Sequence, residues 1–567
     1  LPLKFQYDLP RDSDVTVQLF DKNDRVVRIL VAEQSRRAGK NVELWDGLDD
    51  QGDPLPAGEY IWKGLYHDPI RAKWRFSVHN SGRPPYPTDD NTGGWGGDHG
   101  VPTTVCSVPG GMILAWNVCE YGWGIIRVDQ DGNKLWGSKH NATYMATDGE
   151  RLFIAGGHGF NADAGVQVLD ARDSRPMNFA GKKPTLTPPP GGDEESNVVT
   201  GLAYHDERVY VAYAGRDLVG IFNAHAGSLE STVDVPSPHR MALRPDGSLA
   251  VISDGSVVTV DGGKVSTWID SHLEEPSGIA VAGDGTAYVA NRGDLANVSV
   301  FSPQGEFRRS VGKKGGRPAK GLYEPAGMFM AGGIGLDAQG RLWVAEMADG
   351  PKRISVWDTE TGDNVEEFFG SSGYFGYGYI DPDRPDQIYA HHVLWDIDWE
   401  AYEGTPHTTI WRKTSPNMME PPSPSGYNGH PRIITAENGR QYMWGNARHK
   451  SILLRRDGEL FKPFAAVMNI GRGWSLYRGQ GMPLMDDEEN YPNGYYVWQD
   501  ANDDQILQAG EVSRMPRELH RGTFAWLDTD LTVRLNTGHI LRPQKVEENG
   551  QPVYDVAQAE ATPMVGQ

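Results

Sequence analysis

Glu275 to Gly312 reads EPSGIAVAGDGTAYVANRGDLANVSVFSPQGEFRRSVG, and its punctuation decides the fold. Pro276-Ser277-Gly278 opens a short apolar run, and Gly283-Asp284-Gly285 turns the chain. Thr286 to Ala290 runs back, a polar tip Asn291-Arg292-Gly293-Asp294 follows, and Val298 to Phe301 makes a third strand. A second turn at Pro303-Gln304-Gly305 leads to a fourth. Short β-rich runs separated by Gly/Asp turns at this spacing are hairpin-linked antiparallel strands.

The same grammar returns from Asn197, from Pro238, from Gly333 and from His430. A period of about forty residues carrying four strands is the mark of a β-propeller, in which one blade exposes both faces and only a closed ring buries them. The "P-x-G-I-A…D-G…Y-V-A" pattern resembles bacterial propellers of the NHL-repeat type, a likeness that implies architecture and leaves function open. Blade-like segments start near Val101, Asn141, Val198, His239, Ser277, Gly333, Tyr377 and His430. After about Phe464 the period blurs. The expected fold class is therefore all-β: a seven- or eight-bladed β-propeller preceded by a small immunoglobulin-like β-sandwich.

That sandwich occupies residues 1–78. Val15, Val17 and Leu19 alternate, Asp24 sits in a turn, and Trp45-Asp46-Gly47, Gly52 and Pro56-Ala57-Gly58-Glu59-Tyr60 complete the pattern. The "W-D-G…G…P-A-G-x-Y" run resembles the FlgD-type immunoglobulin-like module of secreted bacterial proteins. The likeness implies a spacer or docking module with Trp45 and Tyr60 in its core. Residues 79–100 read as a Gly/Pro-rich linker, in which Trp95 either pins the chain to the propeller or helps bring His99 to the mouth of the first blade. Residues 101–567 are assigned to the propeller.

Bulk properties narrow the partners. Lys and Arg number 54 against 76 Asp and Glu, a net charge of −22 that argues against nucleic acid or an anionic membrane. The 69 glycines and 38 prolines fit a turn-rich all-β chain because 17 Trp and 23 Tyr supply a core. No apolar run approaches the roughly 20 residues that span a bilayer. The chain starts at Leu1 rather than Met, which fits removal or omission of a signal peptide and an extracellular or periplasmic setting. Cys106 and Cys119 flank a Pro109-Gly110-Gly111 turn and are read either as a disulfide or as two buried thiols.

In a four-stranded blade, the loop leading into the innermost strand and the loop joining strands two and three open on one face. Side chains there surround the central funnel. The expected substrate-binding set is His99, Arg216, Arg240, Arg292, His391, Trp395, Arg432 and His449. The acid–base candidates are His158, His239 and His392, with Glu120 and Glu346 as the carboxylates for a hydrolytic reaction. A His- and Arg-rich funnel in an acidic chain focuses field toward an anion, and guanidinium offers paired donors to carboxylate or sulfate. Of the chain's tryptophans, Trp395 and Trp399 are candidates to face sugar rings. Pro184 to Asn197 and Ser415 to Asn428 read as Pro-rich surface loops or lids.

Asp500, Asn502, Asp504, Ile506, Gln508 and Glu511 occupy positions 1, 3, 5, 7, 9 and 12 of a stretch that resembles an EF-hand or dockerin loop. The likeness implies structural calcium. Gln505 stands where that pattern has glycine. No HExxH, CxxC, nucleophile-elbow or dinucleotide motif is present, so neither zinc nor an organic cofactor is indicated. Gluconolactonase-type propellers hold a metal with Glu, Asn and Asp, but Ser277-Gly278 stands here in place of Asn-Gly. Two functions remain open: a carbohydrate-active enzyme, either a polysaccharide lyase or a glycoside hydrolase, acting on an anionic polysaccharide; or a non-catalytic binding or scaffold propeller of the cell envelope.

Overall fold

The computed structural model describes residues 2–70, 78, 95–157, 165–371, 378–390, 392–412, 414–415, 417–419, 432–447, 450–471, 483–519 and 522–562. Its chain divides into two compact units, Leu1–Arg75 and Phe76–Gln567.

The first unit is a small β-sandwich. Strands β1 (Leu3–Leu9) and β4 (Gly39–Trp45) form one sheet; β3 (Val26–Arg36), β2 (Ser13–Phe20) and β5 (Ile61–His67) form the other in the order β3-β2-β5. Alternation along β2 puts Val15, Val17 and Leu19 in the core while Thr16 and Gln18 stay partly exposed, the period-2 outcome of a half-buried strand. The Trp45 indole donates to the Leu48 carbonyl at 2.8 Å and packs edge-on against Tyr60, so one side chain closes both the core and the Asp46-Gly47 turn.

The second unit is built around a propeller. Among the described residues, six four-stranded antiparallel sheets follow one another in the chain. Their innermost strands are Pro102–Val108, Tyr144–Thr147, Gly201–His205, Pro238–Leu243, Pro276–Val281 and Ala331–Leu336. Each packs against the next, and the sixth packs against the first, which closes the ring. Glycine makes that approach possible. A Cβ on Gly201 would lie 2.1 Å from the His239 carbonyl oxygen, one on Gly278 2.1 Å from that of Gly332, and one on Gly333 2.3 Å from Thr104 Oγ1. Hydroxyls then tie neighbouring blades: Thr103 donates to the Ala142 carbonyl, Thr200 to Pro238 and Ser277 to Ala331.

The seam between the first and sixth blades is apolar. Trp95, Trp116, Ile126, Trp343, Ile354 and Phe368 bury one another there. Trp95 stacks on Phe368, meets Trp116 edge-on, and donates to the Gly132 carbonyl at 2.8 Å. A ring closed without sharing a strand between its ends needs such a wedge, because the dihedrals of either blade alone do nothing to hold the two together.

Among the described residues the ring contains six blades, rather than the seven or eight expected. The segments counted as seventh and eighth enter larger sheets instead. One sheet has five strands, Gly378–Ile380, Gln387–Ala390, Val393–Asp398 and Glu403–Thr409 together with Gly321–Leu322, which comes from the connection between the fifth and sixth blades. The other has six strands between Arg432 and Arg514. The apolar seam leaves no open face on the sixth blade for a seventh, so these sheets bury their own shared core of Tyr389, Leu394, Met443, Ile452 and Trp498. A further four-stranded sheet and a two-stranded ribbon follow.

Both cysteines are free; Cys106 is half-buried and Cys119 buried, and burial pushes each thiol up to about 12. Among the described residues, no helix is long and apolar enough to cross a membrane.

Candidate functional site

At the ring centre the innermost strands of four blades carry a bulge after their first residue pair: Pro102/Thr104, Pro238/Met241, Pro276/Gly278 and Ala331/Ile334. A bulge re-aims the side chains beside it. In the fourth blade those residues are His239 and Arg240. Arg240 Nη2 donates to the Thr103 carbonyl of the first blade at 3.0 Å, and its guanidinium lies 4.8 Å from the ring centroid of Tyr144 in the second. Arg292, on the loop between the second and third strands of the fifth blade, donates from Nε to the Ala331 carbonyl at 2.9 Å. Its Nη2 lies 3.0 Å from Met347 Sδ.

Neither guanidinium has a carboxylate partner within ion-pair distance among the described residues. Arg240 is pushed down to about 10, chiefly by burial and partly by the charge of Arg292. Arg292 is held below its ordinary value by burial, with Glu275 acting only as a partial counterweight. His239 is lowered by partial burial and by its neighbour Arg240. Both are half-buried, and withdrawing charge from water without a partner is costly, so the centre of an acidic protein holds two cations with no ion-pair partner among the described residues.

The first blade contributes to the same mouth. Asp98 is fully buried, and its Oδ1 accepts the backbone N–H groups of His99, Glu120 and Tyr121. Those donors and His99 hold its carboxyl below the ordinary value against the cost of burial. His99 Nδ1 lies 2.8 Å from Asp98 Oδ2, and Nε2 lies 3.6 Å from Glu120 Oε2. Lys352, buried and pushed down to about 8, fixes this loop by donating to the carbonyls of Gly97 and Asp98.

Other expected residues lie elsewhere. Glu346 is fully buried: Oε1 accepts from Arg353 and Ser355, Oε2 from Arg317 and the Phe329 N–H. With both oxygens engaged and no exposure, it is a structural carboxylate rather than a hydrolytic one. Trp395 is 1% exposed and packed edge-on against Phe369, so it is core and not a sugar platform. Arg216 is spent on the Pro189 and Pro190 carbonyls and on Asn197, which docks the Pro184–Asn197 loop rather than leaving it a lid. His392 sits beside Trp411 at the five-stranded sheet, and Arg432 of the six-stranded sheet covers Trp526 of the four-stranded sheet that follows it. Both are outside the ring. His158, His391 and His449 lie outside the described residues, as does most of Ser415 to Asn428.

The 500–511 turn has part of its expected form. Gln505 adopts φ of 64°, supplying the left-handed turn that glycine normally makes, and Asp500 gathers the N–H groups of Asn502, Asp503 and Gln505. Asn502 and Gln508 both donate to Asp504 Oδ2, while the Ile506 N–H goes to Oδ1. The ligand sphere does not fit calcium as it stands. Both Glu511 oxygens are engaged, accepting from the Trp498 indole at 3.0 Å and the Ala501 N–H at 2.7 Å. Among the described residues no three His, Cys, Asp or Glu side chains are grouped to hold a metal ion.

Fold and site together define an all-β protein that carries an immunoglobulin-like module and a β-propeller with a cationic centre. Residues 1–63 match the FlgD Ig-like domain family, and no curated protein matches the chain. Similar solved structures include a gluconolactonase of Xanthomonas campestris, at 15% identity and TM-score 0.32, covering 44% of this chain and 84% of that one. A Bacteroides thetaiotaomicron protein of unknown function is 13% identical with TM-score 0.33, covering 63% and 90%. BamB of Moraxella catarrhalis is 15% identical with TM-score 0.27, covering 43% and 69%.

Proposed function

We propose that the propeller binds an acidic ligand at its ring centre, and that the ligand class is a carboxylate-bearing glycan such as a uronic-acid polymer met outside the cytoplasm. The observation that carries this reading is the pair Arg240 and Arg292, two half-buried guanidiniums with no carboxylate within ion-pair distance among the described residues. A bound carboxylate supplies the missing charge and accepts charge-assisted hydrogen bonds, which are about twice as strong as neutral ones.

Binding is favoured over hydrolysis, because a hydrolytic pair needs two carboxylates across the scissile bond and Glu346 is sealed in the core. The FlgD-type module serves in this reading as a spacer or docking element. The test is a calorimetric titration with polygalacturonate, alginate and neutral dextran. Saturable, salt-sensitive binding of the two polyuronates and none of dextran supports the reading; equal binding of dextran, or no binding of either polyuronate, ends it.

A further inference from the structure

We propose that the Tyr144 hydroxyl is the third ligand-binding group of the ring centre, and that it selects a carboxylate carrying free sugar hydroxyls over a bare carboxylate. The inference rests on the anion-site reading and deepens it by naming what separates one acidic ligand from another.

Tyr144 opens the innermost strand of the second blade, Tyr144–Thr147, and is half-buried there. The guanidinium of Arg240, from the fourth blade, lies 4.8 Å from its ring centroid. Tyr144 also enters the electrostatics of both Arg240 and Arg292, so the phenol shares the space of both cations. Its hydroxyl extends the ring that Arg240 covers. The separation of guanidinium carbon and phenol oxygen is therefore at most 4.8 Å plus one ring radius and one C–O bond. One sugar residue spans that gap, with its carboxylate at one end and a hydroxyl at the other.

The ring is held before any ligand arrives. Tyr144 pairs with Ala155 in the neighbouring strand. The preceding residue, Thr143, donates its N–H to the Ala155 carbonyl at 2.9 Å and its hydroxyl to the Gly156 carbonyl. Gly156 has φ of 76°, and a Cβ there would lie 3.0 Å from Tyr144 Cδ2. Glycine thus lets the ring lie against the backbone, where it also packs on the apolar cluster around Phe153. A group fixed in this way costs little further ordering on binding.

The same contacts decide which part of Tyr144 is usable. Arg240 covers a face of the ring, and the Gly156 backbone lies against its Cδ2–Cε2 edge. The hydroxyl is what remains. Among the described residues it makes no hydrogen bond, and it is not sealed from solvent. A phenol O–H both donates and accepts. The charged N–H groups of Arg240 and Arg292 bind carboxylate oxygens more strongly than a neutral hydroxyl does. An alcohol of the same sugar, which also donates and accepts, is the complementary partner for Tyr144.

The experiment measures calorimetric binding of polygalacturonate and of polyacrylate, which has carboxylates but no hydroxyls, to the full chain and to Tyr144→Phe. Phenylalanine keeps the ring beneath Arg240 and removes only the hydroxyl. Affinity for polygalacturonate should fall about 3- to 10-fold, the value of one neutral hydrogen bond, while that for polyacrylate stays within about twofold. No loss of polygalacturonate affinity in the variant, or an equal loss for both polymers, overturns the inference and leaves the anion site standing. Should Tyr144→Phe fail to fold, wild type is titrated with O-acetylated polygalacturonate, whose blocked hydroxyls cannot donate. Weaker binding than to the unmodified polymer supports the inference, and equal binding overturns it. Absence of polygalacturonate binding by wild type overturns both readings.

Discussion

Arg240 of the fourth blade donates to the Thr103 carbonyl of the first across a sequence separation of 137 residues, and among the described residues no carboxylate lies within ion-pair distance of it. A strut and an anion trap would both use such a residue, and substitution separates them. Arg240→Met keeps the stem, removes the half-buried charge, and should leave stability within about 1 kcal/mol or raise it, as replacing desolvated charge often does. Polyuronate affinity should fall about 10- to 100-fold, the value of a charge-assisted contact. A large drop in the denaturation midpoint with affinity intact would make Arg240 a strut.

The same substitution should move His239. Burial and the Arg240 charge both lower its pKa, so the folded state binds this proton less readily than the unfolded chain. That costs stability at pH below both values, and the cost is relieved as pH rises through the unfolded value near 6.5. In Arg240→Met the His239 pKa, followed by NMR, should rise; an unchanged value would mean that the two side chains are not electrostatically coupled.

Trp95 wedges the ring shut against Trp116 and Phe368. Trp95→Ala should cost about 3–5 kcal/mol, the range for emptying a buried aromatic site. Denaturant unfolding should show the loss in the propeller transition, and an effect below about 1 kcal/mol would mean the seam holds without it.

Glu346 sits between Arg317 and Arg353, at 3.0 Å and 2.7 Å. Glu346→Gln leaves the buried Arg317 guanidinium short of its counter-charge and Arg353 with Glu367 alone, and should cost about 3–5 kcal/mol. Polyuronate affinity per folded molecule should be unchanged. A variant that folds normally but no longer binds would return Glu346 to the ligand site.

Calcium at 500–511 remains a proposal with a definite requirement: Glu511 must leave the Trp498 indole. Calcium addition should then raise the melting temperature by linkage and shift Trp498 fluorescence, with Glu511→Gln abolishing both. No response at millimolar calcium would mean the turn is held by its own hydrogen bonds.

The blades were legible because their signals are local. Gly283-Asp284-Gly285 and Pro303-Gln304-Gly305 mark their turns whatever surrounds them, and the strands of the fifth blade run Pro276–Val281, Ala287–Asn291, Val298–Phe301 and Phe307–Val311. The site was legible only in part. His239, Arg240 and Arg292 stand out as charge at loop positions, but Glu346 has the same signature and is sealed in the core by Arg317 and Arg353. Tyr144 and Lys352 carry no motif at all.

What the amino-acid order determined by itself is the alternation of strand and turn, the four-strand period and the immunoglobulin-like module, since each depends on neighbours a few residues apart. Tertiary structure alone decided that the ring stops at six blades and which charged side chains meet at its centre. Both depend on apolar faces and bulged strands brought together from distant parts of the chain, where the free energy of closure, and not local propensity, chooses the partner.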